Sequence, residues 1–240
     1  MNNDSVHPCE AGVNIRDTWC FAKLVMGASM ARRYKLKQRA REQAETRQRI
    51  VDATIALHQE VGDAGATVSA IAARAGVGRV TVYRHFPDER ALMSACTGHY
   101  FAQHPPPDPG AWAEIADPEE RLRVALGELY GWYRHNEAML AQAEADAPTN
   151  PVLADLMTPF RSHMATIREV LLEGRETGGD AKRPVRAAIG LAIAFGTWRS
   201  LAQEQGLEDR EAVALMLRLA GAPGMQPATV SQPPRGSRQL

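Results

Sequence analysis

The chain has 240 residues, 45% of them apolar and 23% charged, with a formal net charge of zero. This is an ordinary globular composition, long enough for two small domains with a sizeable core and no need of disulfide or metal staples. It excludes a membrane-spanning helix, because no apolar run approaches the roughly 20 residues that one requires.

The neutral total hides an asymmetry. Residues 31–50 carry eight basic residues (Arg32, Arg33, Lys35, Lys37, Arg39, Arg41, Arg47, Arg49) against Glu42 and Glu45, a net of +6. Residues 111–177 carry twelve acidic residues against six basic, a net of −6. A basic front and an acidic body suggest a polyanion-binding end joined to something else, although a basic run also suits a solvated helix face. Cys9, Cys20 and Cys96 form no CxxC pair and no metal-ligand spacing, which fits a reduced cytoplasm. The mildly apolar stretch from Trp19 to Ala31 contains Lys23 and does not read as a signal peptide.

In chain order, residues 1–30 show no sustained period and are expected to be a disordered extension, with Met26 and Met30 standing as alternative starts. Residues 31–44 form a basic arm. Ile50, Ala53, Leu57 and Val61 recur at helical spacing, so a first amphipathic helix is expected over about 45–61, ended by Gly62 and Asp63–Gly65. Thr67 suits an N-cap. Val68, Ile71, Ala72 and Ala75 then share one face of a second helix, and Gly76 sits where the chain must turn sharply. A third helix starts near Gly78, turns Val82, Tyr83 and Phe86 toward the core, and is broken by Pro87. Asp88 caps a fourth helix over about 89–103. His104–Gly110, HPPPDPG, reads as a loop between modules. Five further helices are expected at about 118–134, 136–145, 150–173, 184–204 and 209–220. The tail from Gly221 is rich in Pro, Gly, Ser and Gln and is expected to be disordered.

Residues 67–86 have the layout of a helix-turn-helix, whose second helix enters the major groove while the first braces it across the backbone. Arg79, near the start of that second helix, can pair with the O6 and N7 of guanine, and Val80 can meet a thymine methyl. Thr81 can reach a base or a phosphate. Tyr83, Arg84 and His85 are placed for phosphates, which set register without reading sequence. Tyr83 equally suits a half-buried core position with a wet hydroxyl. His85, His99 and His104 lack the spacing and carboxylate partners of a metal site.

The segments ETRQRIVDATIALHQEVG and TVSAIAARAGVGRVTVYRHFPDERAL resemble the N-terminal domain of the TetR/AcrR family of transcriptional regulators over residues 45–104. The resemblance implies an all-α protein, with a three-helix DNA-binding domain followed at 111–220 by a helical ligand-binding and dimerisation domain. It places Thr67, Arg79, Val80, Thr81, Tyr83 and His85 at the DNA-contact positions. The chain departs from the family at two points. Glu89 stands where a phosphate-binding Lys is common, with Arg90 next to it, and Gly78 stands where a capping Ser is common. The resemblance also extends to the basic run, since several members carry an N-terminal arm that reaches DNA. Such an arm would steepen the salt dependence of binding.

In the C-terminal half, Ala188, Ala192 and Gly196 keep one face of helix 184–204 small, which suits close packing against a symmetry mate. The resemblance makes the last two long helices a dimer interface. Tyr133, Met157, Phe160, His163, Phe195 and Trp198 are candidates for an effector pocket, and each serves equally as plain core. The chain contains no GxSxG, HExxH, P-loop or dinucleotide fingerprint, so it is not read as an enzyme and no cofactor is expected. The reading is a cytoplasmic, sequence-specific repressor. It binds a palindromic double-stranded operator as a homodimer and answers to an unidentified small-molecule effector. A ligand-free nucleoid-type DNA-binding protein and an activator are the alternatives.

Overall fold

The computed structural model describes residues 15–175 and 182–221, and every regular element among them is a helix. The chain divides at Ile50 into two units, which are taken separately.

The first unit contributes one helical stretch to α1 (Ile15–Gly65). Residues 15–30, expected to be disordered, are helical, and so is the basic arm at 31–44. This segment has no apolar period, but it contains no proline and a single glycine, so nothing in it stops a helix that propagates from the downstream segment. The side chains of Arg33, Lys35, Lys37, Arg39, Arg41, Arg47 and Arg49 are all exposed. Residues 1–14 and 222–240, also expected to be disordered, lie outside the described residues.

In the second unit α1 is kinked at Gly62, which adopts φ 68° and ψ −175°, and ends at Gly65. It is followed by α2 (Val68–Ala75), α3 (Arg79–His85), α4 (Glu89–Gln103), α5 (Pro109–Ala113), α6 (Pro118–Asp146), α7 (Pro151–Leu156), α8 (Thr158–Leu172), α9 (Lys182–Ala192), α10 (Phe195–Arg199), a π-helical turn (Ser200–Glu204) and α11 (Asp209–Gly221). Three helices start with the same device. Asp108, Asp117 and Asn150 accept hydrogen bonds from the first free backbone N–H groups, and each is followed by a proline whose missing N–H costs nothing there.

The long α6 forms the centre of the body. Leu122, Leu126, Leu129, Tyr130, Tyr133 and Leu140 recur at helical spacing and are buried against α8, α10 and α11. Arg121 is buried at the start of α6 yet fully used. Its guanidinium donates to the carbonyls of Ile115, Val170 and Glu173 at 2.7–3.0 Å, placing a cation at the C-terminal end of α8.

Several helix boundaries differ from expectation. Nothing at His135 interrupts α6, so the two helices expected there are one. The helix expected over 150–173 is divided at Met157. The loop HPPPDPG gives way at Pro109 to the short α5. The helix expected over 184–204 breaks after Ala192, where Ala194 is extended (φ −74°, ψ 136°). That break frees two carbonyls inside the core, and two tyrosines satisfy them. The Tyr130 hydroxyl donates to the Ala192 carbonyl at 2.8 Å, and the Tyr133 hydroxyl to that of Ile193 at 2.5 Å. Burial pushes both phenol pKa values well above the ordinary tyrosine value. Ala192, assigned from sequence to a mate-facing surface, is buried in this protomer's own core.

Asp209 joins the last helices. It accepts a two-pronged pair from Arg134 at 2.9 and 2.6 Å and the indole N–H of Trp198 at 2.9 Å. The Arg134 hydrogen bonds hold its carboxyl below the ordinary value. Such a group adds stability that is complete above the ordinary Asp pKa of about 3.9 and is lost as pH falls through its depressed folded value. Asp209→Asn should therefore lower the Tm at neutral pH, with the gap closing as pH falls through the depressed pKa of Asp209. A gap that stays constant in melts across that range would remove the ion pair as its cause. Tyr133→Phe leaves a buried carbonyl without a donor and should cost about 1–2 kcal/mol in chemical denaturation.

Candidate nucleic-acid interface

The reading surface is built from two short helices. Thr67 is extended, and its hydroxyl oxygen accepts the Ala70 N–H at 3.2 Å, which starts α2. The hydroxyl proton is still available to a phosphate oxygen. Ile71, Ala72 and Ala75 are buried, and the small side chains at 72 and 75 let α3 approach. Gly76 adopts the left-handed conformation (φ 65°, ψ 38°), and the Val77 N–H bonds back to the Ala72 carbonyl at 3.0 Å. A side chain at this turn would be strained.

The third helix follows from Gly78, which is extended and supplies no side-chain cap. Its φ of −79° does not require glycine, and a Cβ there would meet nothing within 4 Å. The family's serine would fit, and its absence costs a few tenths of a kcal/mol. Val82 and Phe86 point inward, 1% and 2% exposed. That fixes the outer face, where Arg79, Val80, Tyr83 and Arg84 stand exposed, Val80 at 82% and Tyr83 at 49%. Thr81 and His85 flank this face half-buried, and Thr67 is exposed at the start of α2. The structure thus brings all seven residues read from the sequence onto the two adjacent helices. Tyr83 is an exposed residue here, with Val82 and Phe86 filling the core.

Other residues supporting this surface were not singled out from sequence. Arg74 forms a fork with Glu60, both bonds 2.8 Å, which pins α2 to the end of α1 and holds the Glu60 carboxyl below its ordinary pKa. A separation of fourteen residues gives no helical-face signal for such a pair. Glu89 is exposed, but its carboxylate is engaged within the protein, accepting from Asn150 at 3.0 Å. Arg90, its neighbour, pairs with Asp155 at 2.9 Å.

The six effector-pocket candidates do not surround one space. Met157 lines a cavity of about 50 Å³ together with Ile55, Met93, Tyr100, Met139 and Leu153. Phe160 and His163 line a separate groove of about 420 Å³ with Phe101, Pro106 and Leu156. Tyr133, Phe195 and Trp198 are stacked in the core, with Tyr133 and Phe195 edge to face at 5.4 Å. The break at 193–194 draws them inward, since Tyr133 must reach the Ile193 carbonyl. Among the described residues no cluster of three or more His, Cys, Asp or Glu could hold a metal ion. Nor is any helix among them long and apolar enough to cross a membrane.

Comparison with known proteins agrees with this geometry. Residues 50–96 match the model for bacterial regulatory proteins of the tetR family. The HTH-type transcriptional repressor KstR of Mycobacterium tuberculosis is 32% identical over 116 residues, 48% of this chain and 46% of that protein. KstR of Mycolicibacterium smegmatis is also 32% identical over 116 residues, 48% of this chain and 50% of that protein. The chain thus matches about half the length of these curated relatives. A TetR-like transcriptional regulator from Rhodococcus sp. RHA1 shares the fold with a TM-score of 0.54 at 20% identity, over 73% of this chain and 93% of that one. The family and these relatives are regulators rather than enzymes. Residues 50–96 thus match the helix-turn-helix domain of the tetR family of bacterial regulatory proteins, and the match is to that segment.

Proposed function

We propose that the protein is a ligand-responsive repressor that binds a palindromic DNA operator as a homodimer in the cytoplasm. The observation that carries the reading is the outer face of α3, where Arg79, Val80, Tyr83 and Arg84 are exposed together while Val82 and Phe86 hold the helix from behind. Arg79 and Val80 at its N-terminal end are the base readers, and Thr67, Thr81, Tyr83, Arg84 and His85 set register on phosphates. The exposed basic stretch of α1 adds sequence-independent attraction and steepens the salt dependence. A nucleoid-type protein would use that attraction alone, whereas a repressor prefers its operator by about a thousandfold or more.

Dimerisation is supported by the last two long helices. Leu191 on α9 and Leu219 on α11 are 56% and 54% exposed, on helices that pack against each other. A two-fold dimer matches two half-sites about one DNA turn apart. An effector acts by its difference in affinity between dimer states with matched and mismatched head spacing. The groove beside Phe160 and His163 is the larger of the two spaces lined by the candidate residues and suits an apolar effector.

Arg79→Ala should weaken operator binding by about tenfold to a hundredfold and relax specificity at one base position. Tyr83→Ala should weaken binding to all sequences alike, and both variants should remain dimeric. Anisotropy titrations on operator and random duplexes check this, and unchanged affinity in both variants would sink the assignment. Leu191→Glu combined with Leu219→Glu should convert dimer to monomer in analytical ultracentrifugation, and a persisting dimer would place the interface elsewhere.

A further inference from the structure

One side chain ties the reading head to the body, and it belongs to neither the DNA surface nor the effector-pocket candidates. Asn150 is 9% exposed and follows α6. Its carboxamide oxygen accepts the N–H groups of Val152 and Leu153 at 2.9 and 3.1 Å and so starts α7. Its amide nitrogen donates to two carboxylates of the head: Asp63 at the end of α1, at 2.8 Å, and Glu89 at the start of α4, at 3.0 Å. An amide nitrogen has two hydrogens, and here each has a carboxylate to meet. The backbone N–H of Asp63 in turn donates to the Asp146 carboxylate at 2.9 Å. That contact depends on the left-handed Gly62, where a Cβ would lie 2.8 Å from the Gln142 side-chain oxygen.

We infer that Asn150 is a positioning residue for DNA recognition, fixing the orientation of the reading head on the body. The argument is geometric. The third helix is joined to α4 only through Phe86–Asp88, so the place of the α4 N-terminus sets the place of α3. The other end of α4 is held separately, by the Tyr100 hydroxyl on buried Asn136 at 2.7 Å. Asn150 therefore controls the end of α4 nearer the DNA. The residue type is demanded by the charges. Asp63 and Glu89 are like-charged acceptors drawn to one point, and only a donor with two hydrogens and an acceptor for α7 satisfies all sides. An apolar residue would remove the Asn150 donor from both carboxylates, leaving Asp63 only His58 Nε2 at 3.5 Å, and a carboxylate would repel them.

The inference rests on the dimeric-operator reading proposed above, and the test separates the two. The full chain is used with a duplex bearing the sequence that wild type enriches from a random pool, and with the corresponding isolated half-site. If wild type enriches no sequence, the operator reading fails and takes this inference with it. Asn150→Asp keeps the acceptor that starts α7 but sets a third carboxylate beside Asp63 and Glu89. It should lose about tenfold or more in affinity for the full operator, a change typical of a charged hydrogen bond, with half-site affinity unchanged. Adding Glu89→Gln to Asn150→Asp supplies a reversed donor–acceptor pair at that contact and should recover part of the loss, the repulsion from Asp63 remaining. A purely structural residue would lower Tm and affect both duplexes equally. That pattern, or wild-type affinity for the full operator, overturns the inference. If Asn150→Asp does not fold, Glu89→Ala removes one acceptor from an exposed position. It should show a smaller loss confined to the full operator, and no loss overturns the inference.

Discussion

An all-helical chain with many short segments is governed by its helix ends. Each end leaves backbone groups without partners, and in a packed body water cannot reach all of them. The protein meets this constraint side chain by side chain. Thr67, Asp88, Asp108, Asp117 and Asn150 accept from the starts of α2, α4, α5, α6 and α7. Arg121 donates to the end of α8, and Tyr130 and Tyr133 donate into the break between α9 and α10. The positions of the helices follow from which of these partners can reach. The break at Ala194 is stabilised by the two hydroxyls that α6 presents to it, and Arg121 adds to the apolar packing that holds α6 against α8.

The head and the body use this rule differently. In the head, the caps are local, within three residues of the group they satisfy, so α2, α3 and α4 form from adjacent sequence. In the body the starts of α5, α6 and α7 are capped locally as well, but the end of α8 and the break between α9 and α10 take partners from distant positions, such as Tyr133 to Ile193 and Arg121 to Val170. A head whose local geometry is self-contained can be carried as one piece, and the body decides where it is carried. Asn150 belongs to both schemes, because it caps its own helix and also reaches the head.

This difference explains what could be read from the sequence. The second, third and fourth helices and the turn at Gly76 were legible, because a threonine cap, a left-handed glycine, a proline stop and an aspartate cap are short-range signals. So was the exposed face of α3, once Val82 and Phe86 were assigned inward by helical spacing. The start of α1 was not legible, because a segment without an apolar stripe gives no period even when nothing in it opposes a helix. The break after Ala192 was not legible either, since no proline marks it and the nearest glycines, Gly190 and Gly196, lie to either side of it, while its partners lie sixty residues earlier in α6. The effector candidates, five aromatic or methionine side chains and His163, lie far apart in sequence, from Tyr133 to Trp198. Tertiary contacts then divided them among the core, a small cavity and a groove. The role of Glu89 was legible only as a departure from a family pattern, and its reason lay in Asn150, sixty-one positions away.

The brevity of α3 has a consequence for how the protein responds to heat. Seven residues make two turns, too few to persist in water without tertiary support. The helix starts at an uncapped glycine and is held from behind chiefly by Val82 and Phe86. Its opening free energy therefore lies at the low end of the range found within one protein, below that of the body around α6. Warming is therefore expected to unfasten α3 before the rest of the molecule, so any activity that needs its outer face would fall at temperatures where a calorimeter still records an intact protein.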